Sequence, residues 1–342
     1  MVAIYKAEFF DTSFNLKFWS KIAEPEIIYD YLTLDKTVIV IPGVADVRRG
    51  WYCHITWESS AGAVYQGFVS GVDTTKSTTS VQVSPLQALF DFEFFSNRKN
   101  YNDNKTDVEG WLRTAILGAF SGEDSIQNIP GLTVTAATHT DGVDMNLKDN
   151  IHQFWDLARK IIQNNRIAID CGFDPQARTI TAVIKNHSAE SELTIEADLD
   201  NITDQKFTIR DNWGDVNKVI IYNAKNLSQS QTFTATDYAA PVVQRIAEVT
   251  VGEGETFANV AREKSAELMR TSDADNLIEL TFRAVDRIIP DIGIGRRVRI
   301  LKSGKEYHSV LTGYSLKGGM KTYIFGGVRV DLSKRLKLKG AI

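Results

Sequence analysis

Chemistry in this chain would have to come from five histidines, two cysteines and scattered carboxylates. None of His54, His139, His152, His187 and His308 stands in an HExxH pair or beside a cysteine pair at zinc spacing. His54 adjoins Cys53, but neighbours on a strand point to opposite faces, so the two cannot act together. His152 falls on the polar side of a helical pattern, where solvation is the expectation. The string GFVSG (67–71) misplaces the serine of a nucleophile elbow and lies in a hairpin pattern, not ahead of a helix. EADLDNITD (196–204) offers Glu196, Asp198, Asp200 and Asp204 as oxygen ligands. It lacks the glycine and the terminal glutamate of a calcium loop, so it reads as a solvated loop. A glycosidase's paired carboxylates need only meet in space, and nothing in the sequence points to such a pair. GIGRRVRI (293–300) places Gly293 and Gly295 ahead of two arginines, as a phosphate-holding loop would. A dinucleotide loop needs a third glycine where Val298 stands, and a helix where a strand pattern follows. No catalytic, cofactor-binding or metal-ligating residue is assigned, no cofactor is expected, and the chain is read as not an enzyme.

The totals bound what remains. A length of 342 residues is enough for two or three domains. A formal net charge of −4 argues against a protein that coats nucleic acid. No apolar run is long enough to span a bilayer, and the opening MVAIYKAEFF lacks the pattern of a secretory signal. Two distant cysteines, Cys53 and Cys171, exclude a disulfide framework and fit synthesis in a reducing compartment.

The elements that would position any site are mostly strands. Residues 1–92 carry short runs of β-branched and aromatic residues between Asp, Gly, Ser and Pro clusters. A small closed barrel or sandwich is predicted there. Residues 93–192 read as an α+β domain. Thr106 and Glu109 form a capping-box pattern ahead of one helix. In the other, Ile151, Phe154, Trp155, Ala158, Ile161 and Ile162 make one apolar stripe. A second β-barrel is predicted over 193–230 plus 274–332. A small α/β insertion spans 231–273, with AKNLSQSQT (224–232) as a polar linker before it. Residues 333–342 form a basic C-terminal tail. With Arg329 its stretch carries Lys334, Arg335, Lys337 and Lys339 against Asp331, and it reads as solvated or partner-docking.

A recurrence organises this order. Gly50 is followed by Ile55, a polar turn and Gly67; Gly295 is followed by Ile300, a polar turn and Gly313. The stretches before them, VIVIPGVADVRRG and LTFRAVDRIIPDIGIG, each run from an apolar strand through a proline-containing loop to the glycine. The two β regions thus read as a duplicated unit. On this reading Gly293 and Gly295 serve a sharp bend into a strand, where positive φ is useful.

The fold class is therefore α+β, mainly β: two related small β-barrel domains with interleaved α+β insertion domains. With YHSVLTGYSLKGGMKTYIFGG (307–327) near its end, this plan resembles the baseplate-hub or tail-tip structural proteins of tailed bacteriophages. GWYCHITWESSAGAVYQGFVSGV (50–72) followed by SPLQALFDFEF (84–94) looks most like tail proteins of Gram-positive siphophages and prophages, of Listeria type. It also matches the N-terminal structural part of tail-associated, endopeptidase-like proteins.

The resemblance implies a virion protein made in the bacterial cytoplasm. It implies a homotrimer whose six barrels adapt a six-fold tail tube to a three-fold tip and let DNA pass. Its partners would be the distal tail protein, the tape-measure protein and receptor-binding or fibre proteins, with no membrane-spanning segment. The alternatives are a tail-borne cell-wall hydrolase (endopeptidase) and a host-receptor or carbohydrate-binding module using Trp51, Trp57 and Tyr65. Longer members of the family carry lytic domains; this sequence ends at Ile342 after the second barrel, and no lytic activity is expected of it.

Overall fold

The computed structural model describes residues 5–57, 63–95, 107–121, 128–138, 151–165, 167–186, 191–209, 216–234, 243–252, 256–269, 276–284 and 292–326. The first seven strands are β1 (Tyr5–Phe10), β2 (Leu16–Ile22), β3 (Ile27–Asp30), β4 (Thr37–Pro42), β5 (Tyr52–Trp57), β6 (Ala63–Thr74) and β7 (Thr78–Pro85). Six of them form one strongly curved sheet in the order β2-β1-β5-β6-β7-β4. Its two ends meet, since β2 contacts β4 and Glu26 bridges Val38. Period-two alternation makes the inner face: Tyr5, Ala7, Phe9, Ile39, Ile41, Ile55, Val81 and Val83 are all buried.

A 3-10 turn (Leu86–Phe90) leads into the middle region. Here β8 (Glu93–Phe95) is followed by α1 (Val108–Phe120), β9 (Leu132–Ala136), β10 (Ile151–Gln153), α2 (Phe154–Asn165), β11 (Ile167–Asp174) and β12 (Thr179–Asn186). β8 pairs with β10, and β11-β12-β9 form a sheet on which the helices pack. Two expectations need correction here. The cap of α1 is Asp107, whose carboxylate accepts from the Gly110 N–H at 3.1 Å. Glu109 instead turns inward, fully buried, and accepts from the Thr138 hydroxyl at 2.8 Å. The apolar stripe of α2 holds from Phe154 to Ile162, but Ile151 and His152 belong to β10 because pairing with Phe95 and Phe94 competes successfully with the helix. Replacing Asp107 with alanine is expected to lower stability by ~1 kcal/mol, the usual worth of a helix cap, measurable as a lower midpoint in thermal unfolding.

The remaining elements are β13 (Leu193–Glu196), β14 (Ile202–Thr208), β15 (Val216–Asn223), β16 (Asn226–Thr234), β17 (Val243–Val249), α3 (Phe257–Met269), β18 (Leu277–Arg283), β19 (Arg297–Lys302), β20 (Lys305–Lys317) and β21 (Met320–Phe325). β13-β19-β20-β21-β18-β14 form a second sheet, and β3 crosses from the first half to join it on β20. β16-β15-β17 form a small sheet covered by α3 on one face, with a core of its own around Val219, Ile221, Val249, Phe257 and Ala261. The stretch read as a polar linker is therefore strand β16. It pairs with β15 from Lys218 opposite Thr234 to Asn223 opposite Asn226. A polar strand at a sheet edge has the composition of a loop, because neither face of it needs burial. β15 is the middle strand of this small sheet, between β16 and β17. Buried residues of the other elements, β10 excepted, form one connected core.

Candidate assembly interface

The glycines of GIGRRVRI are geometric. Gly50 and Gly295 have φ of +84° and +81°, a region open to glycine at little cost. Gly50 N–H donates to Val69 O and Val69 N–H to Trp51 O, both at 2.8 Å. Gly295 N–H donates to Leu311 O and Leu311 N–H to Arg296 O, both at 2.9 Å. A Cβ on Gly293 would stand 2.7 Å from Asp170 Oδ2, so that glycine makes room for a carboxylate, the wrong charge for a phosphate site.

The same registers extend the recurrence through four strands, β5-β6-β7-β4 matching β19-β20-β21-β18 in order. β6 against β7 slips between Val69 and Gly71; β20 against β21 slips between Leu311 and Gly313. Within the bulges the Ser70 hydroxyl donates to Gln82 O (3.3 Å) and the Thr312 hydroxyl to Ile324 O (3.1 Å). Outside this shared unit the sheets diverge: β1 runs antiparallel to β5, whereas β13 runs parallel to β19. The structural counterpart of Gly313 is thus Gly71, not Gly67 as the sequence spacing indicated. The turn between β5 and β6 is longer than that between β19 and β20, and the extra residues shift the count.

The two units are joined by strand donation. β3 lies along β20, with Asp30, Tyr29, Ile28 and Ile27 opposite Gly313, Tyr314, Ser315 and Leu316. Tyr31 N–H extends the ladder to Thr312 O at 3.1 Å. The rings of Tyr29 and Tyr314 stack at 5.3 Å, and the Tyr314 hydroxyl donates to Val64 O at 3.3 Å. Gln87 donates to the Tyr29 hydroxyl and, at 3.3 Å, to Ile169 O, tying the middle region to the same point. Burial raises the Tyr29 phenol well above its usual value, with Cys171 and Asp170 adding to the effect, so it stays neutral. Lys317 pairs with Glu26 at 2.7 Å, and Glu24 accepts from the Gly319 N–H. A close approach fixes the residue type at the crossing: a Cβ on Gly313 would stand 2.5 Å from Tyr29 O.

β11 docks on the first sheet by a backbone-like pair. The Gln66 amide donates to Phe173 O at 2.6 Å and accepts from Phe173 N–H at 2.9 Å. The Phe173 ring meets Phe10, Phe14 and Tyr52 at 5.2 to 5.7 Å, with His54 edge-on at 6.4 Å.

The residues considered for chemistry are dispersed. His54 is half-buried with Nδ1 3.8 Å from Glu8, and burial holds its imidazole below the usual value. His152 on β10 pairs with Phe94 on β8. His139, His187 and the basic C-terminal stretch lie outside the described residues. Both cysteines are free; burial pushes the Cys53 thiol far up, and burial with Asp170 nearby does the same for Cys171, which leaves neither as a ready nucleophile. Asp198 accepts from the Ser303 backbone, and Glu196 ends β13. Among the described residues no three of His, Cys, Asp or Glu are grouped to hold a metal. Trp51 and Trp57 are half-buried against the core, and Tyr65 is buried.

One charged network does form, on the outer face of β19 and β20. His308 contacts Glu192 (2.7 Å) and Glu306 (3.1 Å), while Arg297 pairs with Glu192 and Arg299 with Glu306. The hydrogen bond from His308 holds the Glu192 carboxyl below its usual range, with Arg297 and Arg299 helping. A depressed carboxylate contributes stability that is present above its unfolded value and lost as pH falls through the folded one. His308→Ala is expected to move the Glu192 titration back up toward the ordinary glutamate value, followed by carboxyl NMR shifts. Its effect on stability at neutral pH is small, as for exposed pairs generally.

Some apolar side chains face outward. Val38 and Val40 on β4 and Val44 beyond it are 49%, 53% and 71% exposed. On the open face of the small sheet, Tyr222, Leu227, Ile246 and Glu248 line a shallow depression of about 450 Å³. No helix among the described residues is long and apolar enough to cross a membrane.

No protein-family description and no curated protein matches the sequence. The fold has counterparts. A prophage tail protein from Listeria monocytogenes EGD-e superposes with a TM-score of 0.55 at 11% identity, over 99% of both chains. The tail protein of prophage MuSo2 from Shewanella oneidensis gives 0.58 at 11% identity, over 96% of this chain and 98% of that one. A tail protein from Neisseria meningitidis MC58 gives 0.53 at 14%, over 94% and 95%. The mainly β plan with two related curved sheets agrees with the fold class the sequence resemblance implied, and this chain has the fold of these tail proteins along nearly its whole length.

Proposed function

We propose that the chain is a structural protein of a phage tail tip, the hub of its baseplate, acting without catalysis. The observation that carries this reading is the pair of four-strand units with one order, one bulge and one glycine turn, in a fold shared with prophage tail proteins. Three copies closed into a ring present six such units. That arrangement meets a six-fold tail tube on one side and a three-fold tip on the other, by a symmetry no single-unit chain supplies. The formal net charge of −4 suits a passage that must release DNA phosphates, since a basic lining would hold them. Partners under this reading are the neighbouring tube-end, tape-measure and fibre or receptor-binding proteins, and the place of action is the virion.

Light scattering behind a sizing column, over a range of concentrations, tests the reading. The expected mass of the assembled form is about 115 kDa, three times the 38.2 kDa of one chain. A strict monomer that clears cell-wall substrate would replace it with a tail-borne hydrolase. A monomer that binds host walls would replace it with a receptor module.

A further inference from the structure

β20 has two partners along one edge. Its first half pairs with β19, and beyond Leu311 the same edge carries β3, which stops in line where β19 begins. β6 is built alike but only half filled. It pairs with β5 as far as Phe68, Val69 bonds to Gly50 and Trp51, and beyond the bulge Gly71–Thr74 pairs with β7 alone. Among the described residues no strand lies along the other edge of Gly71–Thr74. Gly71 there is buried, Val72 is half-buried, and Asp73 and Thr74 are exposed. An unpaired strand edge is a template for another chain.

The glycines supply an independent indication. Gly313 is needed because β3 passes so close that a Cβ would strike its backbone at Tyr29. Gly71 occupies the same place after the same bulge and has no positive φ to explain it. The nearest atoms a Cβ on it would meet belong to the Gln82 side chain, the closest at 2.9 Å being the movable amide end. A glycine inside a strand marks a close backbone approach, and among the described residues no second backbone makes that approach.

We propose that the free edge of Gly71–Thr74 receives an extended segment from a second copy of this chain, as β20 receives β3 within one copy. This deepens the ring reading and rests on its self-association. The contact is head-to-tail, the first half of one copy against the second half of the next, which is the type of interface that closes rings. The occupant is a second copy because, among the described residues, the equivalent slot on β20 is filled by the chain's own other half.

The test compares Gly71→Ala with the wild-type chain. Gly71→Ala is expected to keep the thermal midpoint of the monomer, since the Gln82 amide can move aside, while weakening self-association at least ~tenfold in light scattering. Hydrogen exchange on the wild-type chain gives a second readout that no substitution can confuse. Amides of 71–74 not bonded to β7 become protected as the mass rises, whereas those of 313–316 are protected at every concentration. Wild-type-like assembly of Gly71→Ala overturns the proposal. So does a rising wild-type mass with 71–74 still exchanging, and in both cases the ring reading survives. A mass fixed at 38.2 kDa at every concentration overturns both. If Gly71→Ala does not fold, the exchange measurement decides.

Discussion

Truncating Phe173 to alanine is expected to lower the stability of the chain by ~3–5 kcal/mol, the range for a buried phenylalanine whose neighbours cannot close the gap. The ring is 4% exposed and is shared among Phe10, Phe14 and Tyr52, all on the first sheet or its β1–β2 turn. Those three side chains sit on strands and a turn held by their own hydrogen bonds, so they cannot move inward without breaking a ladder. The Gln66 clamp on the Phe173 backbone is untouched by the substitution. The middle region should therefore stay docked but loosened, and urea unfolding should show a lower midpoint with extra amide exchange in β11 and β5. An unchanged midpoint would mean that the two regions do not depend on this aromatic plug.

Gly313→Ala is expected to cost ~2–3 kcal/mol, at the upper end of ordinary single substitutions, because two backbones would collide. The added carbon would lie 2.5 Å from Tyr29 O, and neither strand has a flexible end to yield. Relief requires β3 to lift from β20, which strips the Tyr29–Tyr314 stack and the Gln87 contact of their geometry. Calorimetry should register the lower thermal midpoint, and near-ultraviolet circular dichroism should register the altered tyrosine environment. The contrast with Gly71→Ala, expected to spare the monomer, separates a crossing made inside the chain from one made between chains.

How legible the molecule was from its sequence differs from element to element. Strands with alternating or apolar runs, such as TVIVIP and RRVRIL, were readable because burial imposes a period of two. The α2 stripe was readable from Phe154 onward for the same reason at helical period. β16 was not, since NLSQSQTFT buries almost nothing and its strand state is imposed by β15 alongside. The first residues of the α2 pattern were misassigned because pairing with β8, across a long sequence separation, outweighs local helical spacing. The candidate interface was half legible. Gly50 and Gly295 stood out as paired turns, but Gly67 was matched to Gly313 by counting residues through a turn whose length differs between the units.

What the sequence determined by itself was the class of the chain: mainly β, with a repeated glycine-led unit and a resemblance to tail proteins. Composition, periodicity and turn residues are local quantities, and these conclusions need nothing else. Only the tertiary structure decided that β3 joins β20 in the second sheet, that Gly71 is the counterpart of Gly313, and that among the described residues one of these two edges is filled while the other is open. Strand partners are chosen by backbone hydrogen bonds between segments far apart in the chain, and those bonds leave almost no mark on the identities of the residues that make them.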